Sequence, residues 1–366
     1  MLRLLKLAIL GAFFALFVKI IFDLDVNKVV YSHQPGPCRD IENVKAGSED
    51  VILLSTGHAV VSSGLYFPWK TENKPGNLFL IDMRKKNEEV DSKTYFNSIS
   101  AKLITIKDFP RPGKFHPVGI AAWESPKELP LLYVIDVLTN VVDVFQLDVD
   151  KATAVYLRTI KSSSFRFMNN LVVTGKDKFY ATNFLFYTTP IMFILELGLQ
   201  LPFGSVVYFD GTRGHEVLTR LKGPNGIAFD RSRNVLYVAL NVAEEVRAYR
   251  IGQNATDLQL TDTVNVYSGP DNLFLEPDSS ALWIGAHPVT YMVAAHLQDK
   301  ERFQAPSQVL KVALDASNHS FGNVRELYAD DGKVLQAASV AVRYQDMLLI
   351  GSVQHNLLLC QLKHYH

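Results

Sequence analysis

The sequence predicts an all-β fold, a six-bladed β-propeller, behind one N-terminal signal-anchor helix. Three observations carry the prediction. Helical periodicity is scarce after the first two dozen residues, and the chain reads as short apolar runs bounded by Gly, Pro, Asn and Asp. These runs fall into six similar sets spaced about 45 to 70 residues apart, the range of propeller blades with added loops. A carboxylate or side-chain amide heads set after set: Glu49 and Asp50 before VILLS, Asn169 and Asn170 before LVVTG, Asn225 in NGIAFD, and Asp271 and Asn272 in DNLFLEP.

Taken in order, residues 1–24 form the anchor. The stretch MLRLLKLAILGAFFALFVKIIF is apolar apart from Arg3, Lys6 and Lys19. With Lys6 and Lys19 snorkelling outward, Leu4 to Phe22 approaches the roughly 20 residues a bilayer requires. A cleaved signal peptide is the competing reading, but no A-x-A site follows. Arg3 and Lys6 favour a cytoplasmic N-terminus, which places the rest in the endoplasmic reticulum lumen or outside the cell. Residues 25–36 read as a linker and 37–366 as the propeller.

The first set is VILLS, HAVVSSG and NLFLIDM; the second is VGIAAW, LLYVID and VVDVFQLD. The third is LVVTG, KFYATNF and SVVYFD, and the fourth is GIAFD, VLYVALN and VRAYRI. NLFLEP, ALWIGA and VLKVAL make the fifth, and SVAVRY, MLLIGS and LLLCQL the sixth. No amphipathic helix of normal length separates the runs, which disfavours an α/β fold. The helix-like exception is Ile191 to Gln200, apolar on most sides. It should lie on the propeller or touch a membrane, or form a buried loop.

Two cysteines are present, Cys38 and Cys360. In an oxidising compartment one bridge would close almost the whole chain into a ring; two unrelated buried thiols are the alternative. A propeller's last blade is usually completed from the other terminus, which suits the bridge. Asn254 and Asn318 head glycosylation sequons, in keeping with a secretory location.

Basic and acidic residues balance, 37 of each, so no nucleic-acid partner is expected. The cluster Arg84-Lys85-Lys86 is followed by Glu88 and Glu89 and reads as a solvated loop. There is no H-E-x-x-H, P-loop or G-x-S-x-G, and Ser62-Ser63-Gly64 reads as structural. The innermost strand of each blade lines the central channel. The acids and amides at the heads of these strands therefore converge at one end of it. All are hard oxygen donors, which points to calcium; the absence of a His and Cys group with ligand spacing disfavours zinc.

The runs GSED, SSGL, NGI, DN followed by LWIGAHP, and VLQ through LLIGSV to CQL stand in one order. In that combination, from about Cys38 to Leu362, the chain resembles the paraoxonases. The resemblance implies a six-bladed propeller with calcium in the channel and hydrolysis of aryl esters or lactones. By position, Glu49, Asn169, Asn225, Asp271 and Asn272 match the ligands of the catalytic calcium. Asp50, Asn170 and the backbone carbonyl of Ile120 match ligands of a second, structural calcium. The family has Asp where this chain has Asn170, so that site loses one negative charge.

The family's general-base histidine lies in a run that reads FHPVGI here, and Val118 occupies its position. His116, two residues earlier, is the substitute candidate, displaced by roughly 6 to 7 Å in an extended segment; a loop histidine is the alternative. The supporting histidine is missing near LLYVIDVLTN, where Asp136 lies. His287 matches a histidine of the active-site wall, contacting substrate or closing the pocket, and Ala286 replaces the family's free cysteine. Two functions follow from the resemblance. One is a calcium-dependent arylesterase or lactonase, an ester hydrolase of activity reduced by Val118. The other is a non-catalytic, membrane-anchored chaperone whose partners are membrane channel subunits, aiding assembly of degenerin-type sodium channels.

Overall fold

The computed structural model describes residues 2–64, 74–84, 91–186, 189–315 and 320–363. Six antiparallel sheets form a closed ring, the predicted propeller. Blade I runs from Val51–Leu53 to Ala101–Leu103, blade II from Pro117–Ser125 to Thr153–Ile160, and blade III from Met168–Gly175 to Gly214–Leu221. Blade IV runs from Pro224–Asp230 to Leu258–Asn265 and blade V from Gly269–Leu275 to Phe321–Asp330. Blade VI begins at Ala338–Tyr344 and is completed by Cys38–Ile41 from the N-terminal side. Thr105–Lys107 adds a fifth, parallel strand to blade II. Each inner strand packs on the next around the ring, and that of blade VI returns to that of blade I.

The apolar runs are continuous because the strands behind them are covered on both faces. His58–Ser63, Gly204–Phe209, Val235–Leu240, Ala281–His287 and Met347–Ser352 are buried throughout. Six apolar clusters fill the spaces between consecutive blades. Val60, Leu78 and Leu80 meet Leu132, Val134 and Phe145 between blades I and II. Tyr180 and Val206 meet Leu236 and Val238 between blades III and IV. Each such aliphatic side chain contributes roughly 1.5 to 3 kcal/mol by burial. Cys38 faces Cys360 in the register of the closing strand pair, and their disulfide locks blade VI.

Among the described residues, four α-helices accompany the sheets. Leu2–Asp23, α1, is long and apolar enough to cross a membrane, and none of it is buried against the propeller. Ser92–Ser98, α2, starts at Asp91, whose side chain accepts from the Lys93 and Thr94 amides. Pro190–Gly198, α3, is the helix-like segment of the sequence, and it is a helix. Its Phe193 and Leu197 pack on Phe167, Phe184 and Leu185, while Ile191, Leu195 and Leu199 stay exposed. Thr290–Gln298, α4, buries Val293 and His296.

The segment read as a linker is tied down along its length. Asp25 Oδ2 accepts from the Thr290 amide at 3.0 Å and hydroxyl at 2.7 Å, and Leu24 O accepts from the Tyr291 amide. Lys28 pairs with Asp25 and with Glu244 at 2.9 Å. His33 and Ala329 exchange backbone hydrogen bonds. The exit of α1 is therefore fixed to α4. Lys85, Lys86, Glu88, Glu89 and Asn318 lie outside the described residues; Asn254 is exposed in a turn.

Candidate metal centre

The inner strands all run the same way, so residues at their heads meet at one end of the channel. Two glycines make the approach close enough. A Cβ on Gly119 would lie 2.4 Å from Asn169 O, and one on Gly226 would lie 2.3 Å from Asp271 O. Neither contact is tolerable, so these inner strands can meet at the level of the acids and amides only with glycine there.

The cluster is buried: Glu49 is 1% exposed, Asp271 2% and Asn272 0%. Asp50 accepts from the Val51 amide at 2.9 Å, the Ile120 amide at 2.8 Å and Asn170 Nδ2 at 3.1 Å. Asn170 Nδ2 also donates to Asn272 Oδ1, and Asn272 Nδ2 donates to Glu49 O at 3.0 Å. Asn170 thus stitches Asp50 to Asn272. The backbone amide of Ile120 serves the cluster as a donor.

Four oxygens of the cluster have no hydrogen-bond partner among the described residues: Glu49 Oε2, Asn169 Oδ1, Asn225 Oδ1 and Asp271 Oδ1. They come from four different blades. A buried acceptor left unpaired costs about 1 to 3 kcal/mol, and more when charged. Burial and neighbouring carboxylates raise Glu49 and Asp271 well above the ordinary carboxylate range. Burial raises Asp50 to about 7 against the pull of its hydrogen bonds. No lysine or arginine contributes to the field at any of the three. His287 Nε2 lies 3.3 Å from Asp271 Oδ2, but burial lowers its pKa to about 4, so it brings no charge at neutral pH. Three buried carboxylates, two of them with an orphaned oxygen, and no cationic side chain among the described residues fit a bound cation. All the donors are oxygens, which suits a hard ion such as calcium. No group of three His, Cys, Asp or Glu side chains among the described residues is spaced to hold a metal; amides make up most of this donor set.

The candidate catalytic residues are less well grouped. Val118 is 1% exposed, in an apolar cluster with Ile135, Val137 and Met168 that also takes in Val293 of α4. Its carbonyl accepts from Ser62 Oγ at 2.6 Å, and Ser62 Oγ also accepts from the Asp50 amide, so Ser62 is structural. His116 is 4% exposed and its pKa is lowered by burial, with Asp136 opposing. Asp136 pairs in register with Pro117 and lies 3.8 Å from Arg111. Two histidines escape sequence reasoning. His296 of α4 is fully buried and stacks on His355 at 5.2 Å, and its Nδ1 lies 2.7 Å from Phe303 O. Nothing in the sequence pairs them.

Comparison with known proteins agrees with this architecture. A family described as Arylesterase matches residues 29–362. Mechanosensory abnormality protein 6 of Caenorhabditis elegans is 29% identical, over 95% of this chain and 92% of its own. Serum paraoxonase/lactonase 3 of Oryctolagus cuniculus is also 29% identical, over 90% of each. Serum paraoxonase/arylesterase 2 of Gallus gallus is 29% identical over 89% of this chain and 88% of its own. Among solved structures, a putative gluconolactonase shares the fold at a TM-score of 0.50 and 11% identity, covering 92% of this chain and 100% of that one. With a family match over most of its length, the chain belongs to the arylesterase (paraoxonase) family.

Proposed function

We propose that the protein is a calcium-binding propeller with weak arylesterase or lactonase activity. The observation that carries this reading is the set of four orphaned oxygens, contributed by four blades, in a buried cluster with no cationic side chain. Glu49, Asn169, Asn225, Asp271 and Asn272 would hold the ion. A bound calcium supplies Lewis-acid polarisation of an ester or lactone carbonyl.

The chain's own residues limit the rate. A general base must stand within hydrogen-bond reach of the proton it takes. Val118 cannot accept a proton. His116 and His287 are both buried with lowered pKa values, so each keeps a neutral imidazole at pH 7. His287 stands at the cluster, beside Asp271; His116 is held at the head of the blade II inner strand. General-base help is typically worth about 10² to 10⁴ in rate, so activity survives only on reactive esters. In the non-catalytic reading, the same calcium site stabilises a chaperone of channel subunits, and the apolar packing of Val118 supports it.

In this reading α1 is the membrane anchor. Its exit is clamped to α4, and the exposed side of α3 lies at the same end of the propeller. The channel mouth with the acid and amide cluster then faces the bilayer, on the luminal or extracellular side.

The test is turnover of phenyl acetate and of a lactone by the protein from residue 30 onward, with calcium or EDTA. Slow, calcium-dependent hydrolysis that Asn225→Ala abolishes is expected. No turnover, with calcium still raising the melting temperature, would sink the hydrolase reading and leave the chaperone one. Val118→His should raise the rate, up to about 10²-fold, at some cost in stability because it places a polar ring in an apolar cluster.

A further inference from the structure

The channel has a second mouth. The inner strands run away from the acid and amide cluster and end in turns at Ser125, Gly175 and Asp230. There an open cleft of about 530 Å³ is lined by Trp123, Glu124 and Ser125 of blade II, Val173 of blade III, and Arg231 of blade IV. That volume is in the range of small-molecule sites. Asn225 and Arg231 are six residues apart on one chain segment, roughly 20 Å at strand spacing, so the cleft is separate from the candidate metal centre.

Arg231 makes this cleft more than a gap between turns. Its guanidinium lies over the Trp123 ring at 5.4 Å and over the Phe229 ring at 5.7 Å. Two rings from different blades thus hold the side chain, which lowers the entropy it loses on gripping a ligand. The nearest acid in sequence, Asp230, is taken: Arg233 lies 3.4 Å from it and Ser232 donates to it. Glu124 is taken as well, since both its oxygens accept from Ser55 of blade I, the closest at 2.7 Å. Arg231 therefore presents a fixed cation, with no ion-pair partner among the described residues, to a cleft with an aromatic wall.

We propose that the mouth of the channel far from the anchor is a binding site for an apolar ligand carrying a carboxylate. The carboxylate meets Arg231, whose planar fork suits two parallel hydrogen bonds. The apolar body lies against Trp123 and Val173.

The probe is 2-naphthoate, titrated calorimetrically against the full chain in detergent, with 2-naphthamide as the neutral isostere. The wild type should bind the acid at least tenfold more tightly than the amide. Arg231→Gln, on an exposed turn and checked for an unchanged melting temperature, should erase that difference. Arg231→Lys, which keeps the charge but not the planar fork, should retain part of it. EDTA should leave the affinity unchanged, which separates this site from the cluster at the other mouth. Equal binding of acid and amide by the wild type, unchanged binding of the acid by Arg231→Gln, or no binding at millimolar probe would each overturn the proposal.

Discussion

Removing calcium, and removing one carboxylate, should act on stability in opposite ways. Calcium at a hundredfold excess over its Kd stabilises the native state by about 2.7 kcal/mol. The propeller has roughly 330 residues, which at about 2.1 cal/mol/K each gives an unfolding entropy of about 0.7 kcal/mol/K. The melting temperature should then rise by about 4 °C between EDTA and saturating calcium. Asp271→Asn keeps the shape of the side chain and deletes one of three buried carboxylates. In EDTA the variant should melt above the wild type, because mutual repulsion and desolvation already disfavour the charged form of Asp271. In calcium it should show little or no increment.

The pH dependence of the same measurement follows by linkage. An acid whose folded pKa is raised binds its proton more tightly when folded, so its stabilisation is full below the unfolded value near 4 and is lost as pH rises through the folded value. For Asp50 that window closes at about 7, and Glu49 and Asp271, also raised well above the ordinary carboxylate range, act in the same direction. Calcium binds the deprotonated form, so the gap between calcium and EDTA melting temperatures should widen from pH 5.5 to pH 8. Differential scanning calorimetry reads all of this. An increment in Asp271→Asn as large as in the wild type, or a gap that narrows with pH, would refute the reasoning.

Three other outcomes are expected. Reduction or Cys38→Ala with Cys360→Ala reopens a ring whose ends are 322 residues apart, a loss of about 5 to 6 kcal/mol at most by chain entropy; melting curves with and without reductant measure it, and identical curves would show that strand pairing alone closes the blade. Asp25→Ala removes both hydrogen bonds to Thr290, so limited proteolysis between residues 24 and 33 should accelerate while the propeller stays protected. Ile191→Glu with Leu195→Glu places charge on the exposed side of α3, where these residues are 70% and 43% exposed; flotation of the protein from residue 25 onward with vesicles should fall, and unchanged flotation would detach α3 from the membrane orientation.

The first three strands of every blade were legible as runs rich in apolar residues, most clearly those buried throughout, such as His58–Ser63, Val235–Leu240 and Met347–Ser352. The fourth strands were not. Leu258–Asn265 is largely exposed and polar, and Phe321–Asp330 is exposed from Gly322 to Glu326; they are strands because a neighbour's edge needs pairing, a requirement absent from their own composition. The helix α4 escaped for a related reason: of its nine residues only Val293 and His296 are buried. At the centre, residue types were legible but connections were not. That Asn170 bridges Asp50 and Asn272 depends on blades I, III and V meeting at one height, which Gly119 and Gly226 make possible between neighbouring blades. The linker reading missed the clamp at Asp25, since a lone acid after an apolar helix carries no sign of its partner.

Val118 joins these observations. A histidine there would need a partner and an open path to water. The valine needs neither, and it packs into a cluster containing Val293 of α4, Ala305, Ala337 and Val353, from the blade V to VI side of the ring. Helix α4 in turn receives the clamp from Asp25 at the exit of α1 and buries His296 against His355. Val118 and Val293 of α4 thus share one apolar cluster, a roof of apolar side chains about position 118. Val118→His alone restores a proton acceptor beneath an apolar roof. If the roof limits access, trimming it with Val293→Ala should add to the gain from Val118→His, and the double variant should exceed the product of the two single effects; a purely multiplicative result would mean that base and roof act independently.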